Sequence, residues 1–232
     1  MSWFVDNLDM IRELFVRHAW ISVVSTLIGF VIALPVGWYA NEHPRIRGLA
    51  VTSVGVLYTI PSLALFVLLP GILGTPILSV TNVVIALAIY AAAVMVRTAA
   101  DAFGSVSPAV LDAASAAGFS RRQRVFRVEL PLAGPVLLAG LRVVSVSTVS
   151  MLSVATLIGV SNLGSLFTDG FRRDFQTEII IGIIAIVVLA LVLDALLVLA
   201  GQLLMPWTRR QRTVAPTVRP LEDSLSRAVQ AP

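Results

Sequence analysis

The feature that most constrains this chain is the spacing of its charged residues. Residues 18–41, 48–96 and 143–168 carry no formal charge. An α-helix needs about 20 mostly apolar residues to cross the hydrocarbon core of a bilayer, so each window is long enough for at least one crossing. Of the 232 residues, 57% are hydrophobic and 13% are charged, against about 25% charged in an average soluble domain. The chain is therefore predicted to be an all-α polytopic membrane helical bundle.

The charge-free windows predict five membrane-spanning helices. The longest window must hold two of them, because a cluster of helix breakers at 71–76 turns the chain inside it. The last apolar stretch, 179–207, is interrupted only by Asp194. Outside the spans we expect an N-terminal interfacial segment (1–18), a polar loop (101–134) and a flexible basic tail (204–232). The predicted spans are about 19–41, 49–70, 82–100, 135–160 and 179–203.

The distribution of arginine predicts the orientation of the chain. All 17 basic residues are Arg, because the sequence contains no Lys. An odd number of crossings places the two termini on opposite sides of the membrane. With the C-terminus in the cytoplasm, twelve arginines lie inside and four outside, and Arg142 lies at a membrane boundary. The positive-inside rule therefore favours an outside N-terminus and a cytoplasmic C-terminus, which puts loop 101–134 in the cytoplasm and the basic tail near anionic lipid.

The composition excludes several kinds of chemistry. The chain has no Lys and no Cys, and its two histidines, His18 and His43, lie near predicted membrane boundaries. A P-loop lysine, a disulfide and a Cys/His metal site are therefore not expected. We expect no catalytic residue, cofactor or metal on this chain, so chemical energy must come from another chain. An intramembrane enzyme would need a Ser or Asp mechanism, and Asp194 lacks a second intramembrane Asp; a structural membrane scaffold is the other alternative.

The polar loop carries clear helix signals. Ser107 and Pro108 are typical of a helix start, the residues that follow are strong helix formers, and Gly118 occupies the position of a C-terminal cap. A second helix is predicted to start after Ser120 and to end before Pro131. The loop is therefore predicted to form two short helices around a glycine turn, outside the membrane.

This loop resembles a known docking element. Its motif consists of Asp112-Ala113-Ala114, three residues, Gly118, nine residues and then Val128-Glu129-Leu130-Pro131. This motif is similar to the EAA loop of type I ABC importer permeases. In that family Glu-Ala-Ala, Gly and Ile-x-Leu-Pro occur at the same spacing, so Asp112 and Val128 are the two departures. The resemblance implies that this loop docks on the ATP-hydrolysing subunit. The implied coupling residues are Asp112, Ala113, Ala114, Gly118, Arg121, Arg122, Leu130 and Pro131.

The resemblance covers residues 19–203 and implies a permease domain with several partners. These are two ABC ATPase subunits that carry ATP and Mg, a second permease subunit in a homo- or heterodimer, an extracytoplasmic substrate-binding protein and membrane lipid, with no nucleic acid. The implied location is the plasma membrane of a prokaryote, and the implied mechanism is alternating access.

Shorter stretches resemble one branch of the family. This branch is the group of permeases that import osmoprotectants such as glycine betaine, carnitine or choline. The stretches similar to it are residues 60–65, 128–132 with Pro135, and 158–159 followed by 163–164 and Gly170. A permease for methionine or another amino acid is the alternative, because substrate selectivity in such systems is expected to reside largely in the binding protein.

Seven residues are candidates for the translocation pathway. Pro61 is expected either to kink the second span as a packing feature or to break it where it lines the translocation path, with the Ser62 hydroxyl beside it. The rings of Tyr58 and Tyr90 can attract a quaternary ammonium group, although such tyrosines also serve as interfacial anchors. The complete set is Tyr58, Pro61, Ser62, Tyr90, Ser147, Ser150 and Asp194.

The last three candidates lie in the fourth and fifth spans. Ser147 and Ser150 belong to a polar face that can line a path or hydrogen-bond a neighbouring helix. Asp194 is an ionisable group within a span, and such groups face a bundle interior or an aqueous cavity. We expect it to pair with Arg142 or with a hydroxyl from 145–150, or to act on a cationic substrate.

Overall fold

A computed structural model describes residues 2–208, and every regular element in that range is helical. The first five helices are α1 (Ser2–Asp6), α2 (Leu8–Glu42), α3 (Pro44–Thr59), α4 (Ser62–Leu73) and α5 (Val80–Gly104). The next three are α6 (Pro108–Ala116), α7 (Arg121–Arg124) and α8 (Leu130–Leu152), with a π-helical turn, Val125–Glu129, before α8 and a 3₁₀ turn, Ser153–Ile158, after it. The last two are α9 (Ser165–Arg172) and α10 (Gln176–Leu204). Residues 209–232 of the predicted basic tail lie outside the described residues.

The helices agree with the predicted membrane bundle. Four helical stretches of the described chain are long and apolar enough to cross a bilayer: Leu8–Glu42, Val80–Gly104, Arg121–Ile158 and Gln176–Leu204. Helices α3 and α4 together make a fifth, bent by 98°. The all-α fold class with about five spanning helices is therefore confirmed.

Of the kink and the break expected at Pro61, the second span has the break. Ile60 (φ −69°, ψ 127°) and Pro61 (φ −59°, ψ 133°) are both extended. The proline ring drives the residue before it out of the helical region, so α3 ends at Thr59 and α4 begins at Ser62. Pro61 therefore separates two helices rather than bending one.

Two helix boundaries add to what the sequence predicts. The first long helix begins at Leu8, so most of the predicted interfacial segment 1–18 continues into the predicted span 19–41 without interruption, because residues 8–18 contain no Gly or Pro that would end the helix. The prediction that a helix ends before Pro131 is wrong, since one continuous helix runs from Arg121 to Ile158. Its π-helical turn ends at Glu129, two residues before Pro131. Proline cannot donate the backbone hydrogen bond of a regular turn, and the wider turn accommodates its ring.

Helix α5 lies at the centre of the bundle and packs against α2, α3, α4 and α8. Small residues bring α2 very close to α5: a Cβ atom added at Gly29 would lie 2.5 Å from that of Ala91, and one at Gly37 would lie 2.4 Å from that of Ala99. Close backbone approach of this kind is how membrane helices gain packing energy. Helix α10 is peripheral, because only 6% of its most apolar window is buried within the chain.

Candidate functional site

Helices α6 and α7 form a hairpin at one end of the bundle, around the turn 117–120. Gly118 adopts φ +83°, a left-handed conformation that L side chains rarely take. Its N–H donates to the carbonyl of Ser115 (3.0 Å), and the N–H of Phe119 donates to that of Ala114 (3.1 Å). These two bonds satisfy carbonyls that a helix end otherwise leaves unpaired. At the other end of α6, Ser107 makes no side-chain capping bond.

Helix α7 begins with a capping box. The Ser120 hydroxyl accepts a hydrogen bond from the N–H of Gln123 (3.4 Å), and the Gln123 side chain accepts one from the N–H of Ser120 (2.9 Å). This reciprocal pair fixes the direction in which the chain leaves the glycine turn. The predicted second helix start is therefore confirmed.

The hairpin is presented to the surroundings rather than packed into the core. No residue of α6 is buried. Leu130 and Pro131 are half-buried at the start of α8, away from the turn. The structure thus brings together six of the eight predicted coupling residues on the hairpin: Asp112, Ala113, Ala114, Gly118, Arg121 and Arg122.

A charged cluster that the sequence reasoning missed holds the hairpin to the end of α2. Glu129 is buried and accepts hydrogen bonds from Trp38 Nε1 (2.9 Å) and Arg124 Nε (2.8 Å). Glu42 pairs with Arg121 and lies 3.9 Å from Arg124, and the Arg121 guanidinium stacks 5.1 Å above the Trp38 ring. We call these five residues the hairpin anchor. The only sequence signal for it was an acidic residue between apolar neighbours, which needs a partner when buried.

Four of the predicted pathway residues meet where α3 breaks from α4. Pro61 lies in the break and Ser62 is the first residue of α4. The buried Tyr90 hydroxyl donates to the carbonyl of Ile60, which the break leaves without a helical partner. The rings of Tyr58 and Tyr90 pack edge-to-face with centroids 6.0 Å apart, and 45% of Tyr58 remains exposed. The break is thus stabilised by one tyrosine and lined by another.

Asp194 forms a bidentate ion pair with Arg142. The Nε and Nη2 atoms of Arg142 donate to the two carboxylate oxygens at 2.6 and 2.7 Å. Of the two structural partners expected for Asp194, the chain uses the arginine. Ser147 and Ser150 lie further along α8, where Ser147 is half-buried and Ser150 is exposed.

The far end of the bundle is held by His18, which is fully buried. Its Nδ1 accepts the N–H of Leu163 (3.2 Å), so Nε2 carries the proton that is donated to the carbonyl of Val149 (3.0 Å). His18 therefore joins α2, α8 and the segment that leads into α9. Among the described residues, no group of three or more His, Asp or Glu could hold a metal ion.

Comparison with protein families and curated proteins gives consistent matches. Residues 18–210 match the family described as binding-protein-dependent transport system inner membrane component. The osmoprotectant import permease of Salmonella typhimurium is 30% identical over 200 residues, which cover 85% of this chain and 93% of that protein. The glycine betaine/carnitine/choline transport system permease of Bacillus subtilis is 27% identical over 209 residues, which cover 90% of this chain and 87% of that protein.

Solved structures with a similar fold are also transporter subunits. A chain of an inward-facing methionine ABC transporter superposes with a TM-score of 0.65 at 23% identity, covering 84% of this chain and 96% of that one. A chain of an amino acid ABC transporter superposes with a TM-score of 0.71 at 19% identity, covering 87% of this chain and 97% of that one. At these identities the comparison shows the fold alone.

Proposed function

The chain belongs to the family of binding-protein-dependent transport system inner membrane components, and from that premise we propose that it is the permease subunit of an ABC importer for osmoprotectants such as glycine betaine, carnitine or choline. The observation that carries the proposal is the exposed α6 hairpin, with Asp112, Gly118 and Pro131 at the spacing of the family's docking loop. The curated relatives named for osmoprotectants, at up to 30% identity, support the substrate class.

In this proposal two partner ATPase subunits bind ATP and Mg and hydrolyse the ATP. Helix α6 is the element through which each permease contacts its ATPase. Helix α6 has no buried residue, and Asp112 and Ala113 are exposed, so this face of the helix is available to a partner. The hairpin anchor transmits movement of the hairpin to the end of α2. The continuous helix from Arg121 to Ile158 transmits the same movement to α8. Differential affinity of the ATPases for two such arrangements is what drives alternating access.

The proposed orientation has the N-terminus outside and the hairpin in the cytoplasm, as the arginine distribution favours. A substrate-binding protein then docks at the end of the bundle that His18 holds together. A second permease subunit, identical or different, completes the membrane part. The peripheral position of α10, with 6% of its apolar window buried, leaves a broad face for that subunit and for lipid.

The break between α3 and α4 is the proposed wall of the pathway. Broken helices in transporters place polar backbone groups next to a path at membrane depth. The exposed ring of Tyr58 offers a π face to a quaternary ammonium group, and Ser62 offers a hydroxyl. Ser147 and Ser150 contribute hydroxyls from α8.

The proposal is tested by uptake of radiolabelled glycine betaine in cells that carry this permease with its ATPase and binding protein. We expect ATP-dependent uptake that Gly118→Asp abolishes. Gly48→Asp is the matched control, because it adds the same charge at a helical glycine that also has open space around it. Import of methionine or another amino acid in place of betaine would refute the substrate class while leaving the permease assignment intact. Normal betaine uptake by the Gly118→Asp transporter would refute the coupling role of the hairpin.

A further inference from the structure

The Arg142–Asp194 ion pair joins α8 to the peripheral helix α10 at a depth well inside the membrane, and it is only partly buried within this chain. At 1.5 Å per residue, Arg142 lies about 18 Å along α8 from Leu130, and Asp194 lies about 15 Å from the Leu204 end of α10. Both positions fall well inside a hydrocarbon core of about 30 Å. The two side chains nevertheless keep 42% and 27% of their surface exposed in this chain.

Half-exposed charges at this depth cannot face lipid tails. Charged side chains within spans face a bundle interior or a water-filled cavity. A cavity of about 440 Å³ between α8 and α10 is lined by Arg142, whose partner Asp194 lies just outside its lining, and Gln202 and Thr208 contribute to its polar wall. Its volume is in the range of about 300–1,000 Å³ that is typical of small-molecule sites. The cavity extends from Arg142 towards Pro135 and Thr208, which lie at the same end of the bundle as the hairpin.

We propose that Arg142 and Asp194 form the binding site for a zwitterionic osmoprotectant at the inner end of the pathway, an inference that rests on the function proposed above. The guanidinium takes the substrate carboxylate in the bidentate geometry that it now gives to Asp194. Asp194, released from Arg142, faces the quaternary ammonium group, which has no N–H and is held by charge alone. One ion pair becomes two, and the net charge of the site stays zero throughout.

Binding in this way links the substrate to the moving parts of the bundle. The ion pair joins α8 to α10, so a zwitterion inserted between its partners separates the two helices. Helix α8 is continuous with the hairpin through the helix Arg121–Ile158. Occupancy of the site is therefore coupled to the position of the element on which the ATPase docks.

The site discriminates between substrates by their anionic end. Glycine betaine carries a carboxylate, whereas choline carries a hydroxyl on the same quaternary ammonium group. Arg142 therefore contributes to betaine transport and not to choline transport, while Asp194 contributes to both. A purely structural ion pair would affect both substrates to the same extent.

The test compares maximal uptake rates of radiolabelled glycine betaine and choline by the complete transporter in cells. Because the binding protein is unchanged, a change in the betaine-to-choline ratio arises in the permease. We expect Arg142→Gln to lower this ratio at least about ten-fold, the smallest loss expected when hydrogen bonds to a charged group are removed. Arg47→Gln is the matched control, because it breaks an ion pair with Asp101 (2.7 Å) that lies outside the cavity, and its ratio should equal that of the wild type.

Arg142→Lys covers the case in which Arg142→Gln does not insert into the membrane. It keeps the charge opposite Asp194 but loses bidentate recognition of a carboxylate, so the ratio should fall in the same direction and by less. An unchanged ratio in the variants overturns the proposal. If the wild type imports betaine but not choline, betaine import alone is compared. Its loss in Arg142→Gln and Arg142→Lys, but not in Arg47→Gln, supports the proposal. Retained betaine import in the two Arg142 variants overturns the proposal. A wild type that imports neither solute refutes the substrate class itself.

Discussion

At the scale of single residues, Gly118 shows how one backbone angle shapes the turn of the hairpin. No atom of the described residues lies within 4 Å of the position where a Cβ would be added, so within this chain residue 118 is constrained only by its φ of +83°, and a charged side chain there would face the proposed ATPase surface. For an L residue other than Asn or Asp, this left-handed conformation costs about 1–2 kcal/mol. The two hydrogen bonds that close the turn depend on it.

A substitution series at this position separates conformation from side-chain chemistry. We expect Gly118→Ala to weaken association of the ATPase with the permease, because the strain redirects α7, and Gly118→Asn to retain most of it, because Asn tolerates the left-handed region. Co-purification of the ATPase with each variant measures this. Equal retention by the alanine and asparagine variants would show that the turn conformation is unimportant.

Glu129 is the residue whose role could not be predicted from the sequence. Its partner Trp38 is 91 residues away, and no local pattern brings the two together. The partner of Asp194 was easier to predict, because a charge within a span requires an opposite charge and Arg142 lies within the predicted fourth span, 135–160. Local chemistry thus predicts that a partner exists, and only the packing of α2 against the hairpin identifies it.

Removal of the Glu129 carboxylate should destabilise the hairpin anchor. We expect Glu129→Ala to cost about 3 kcal/mol, since it leaves Arg124 without its closest buried partner, and to lower the thermal midpoint of the purified transporter. Arg47→Gln, which breaks an ion pair with 43% and 53% side-chain exposure, should cost about 0–1 kcal/mol. Similar midpoints for the two variants would contradict the assignment of Glu129 as an anchor.

At the scale of elements, the break between α3 and α4 decides between the two forms expected at Pro61, a kink and a break. The charge-free window 48–96 indicated how many crossings it holds, because apolar length decides that number. It could not indicate a bend of 98°, because a proline within an apolar run is compatible with both a kink and a complete break. The Tyr90 hydroxyl, which takes the free carbonyl of Ile60, stabilises the broken form.

Pro61→Ala tests whether the break is required for transport. Alanine permits α3 to continue into α4, so we expect a large loss of betaine uptake with normal abundance in the membrane. Pro35→Ala is the control, because α2 remains continuous through Pro35, and it should transport normally. Full uptake by the Pro61→Ala variant would show that the break does not shape the pathway.

At the scale of the whole molecule, the hairpin is attached to the membrane bundle at two places. One helix runs from the hairpin to the far end of the bundle, and the hairpin anchor makes a second attachment at α2. The prediction of a helix end at Pro131 missed this continuity, because a π-helical turn accommodates a proline that usually ends a helix. The all-α class and the five crossings followed from the charge-free windows alone, whereas the way the hairpin is joined to them required the packed structure.

The central claim is that α6 is the surface on which an ATPase docks, and cysteine cross-linking tests it most directly. The chain has no native cysteine, so Ala113→Cys places a single thiol on the exposed face of α6. Ser161→Cys, at the opposite end of the bundle, is the control. In membranes that contain the complete transporter, we predict that a benzophenone maleimide attached to the thiol photo-cross-links the permease to the ATPase from position 113 and not from position 161. An ATPase that co-purifies but cross-links only from position 161, or from neither position, would contradict the claim.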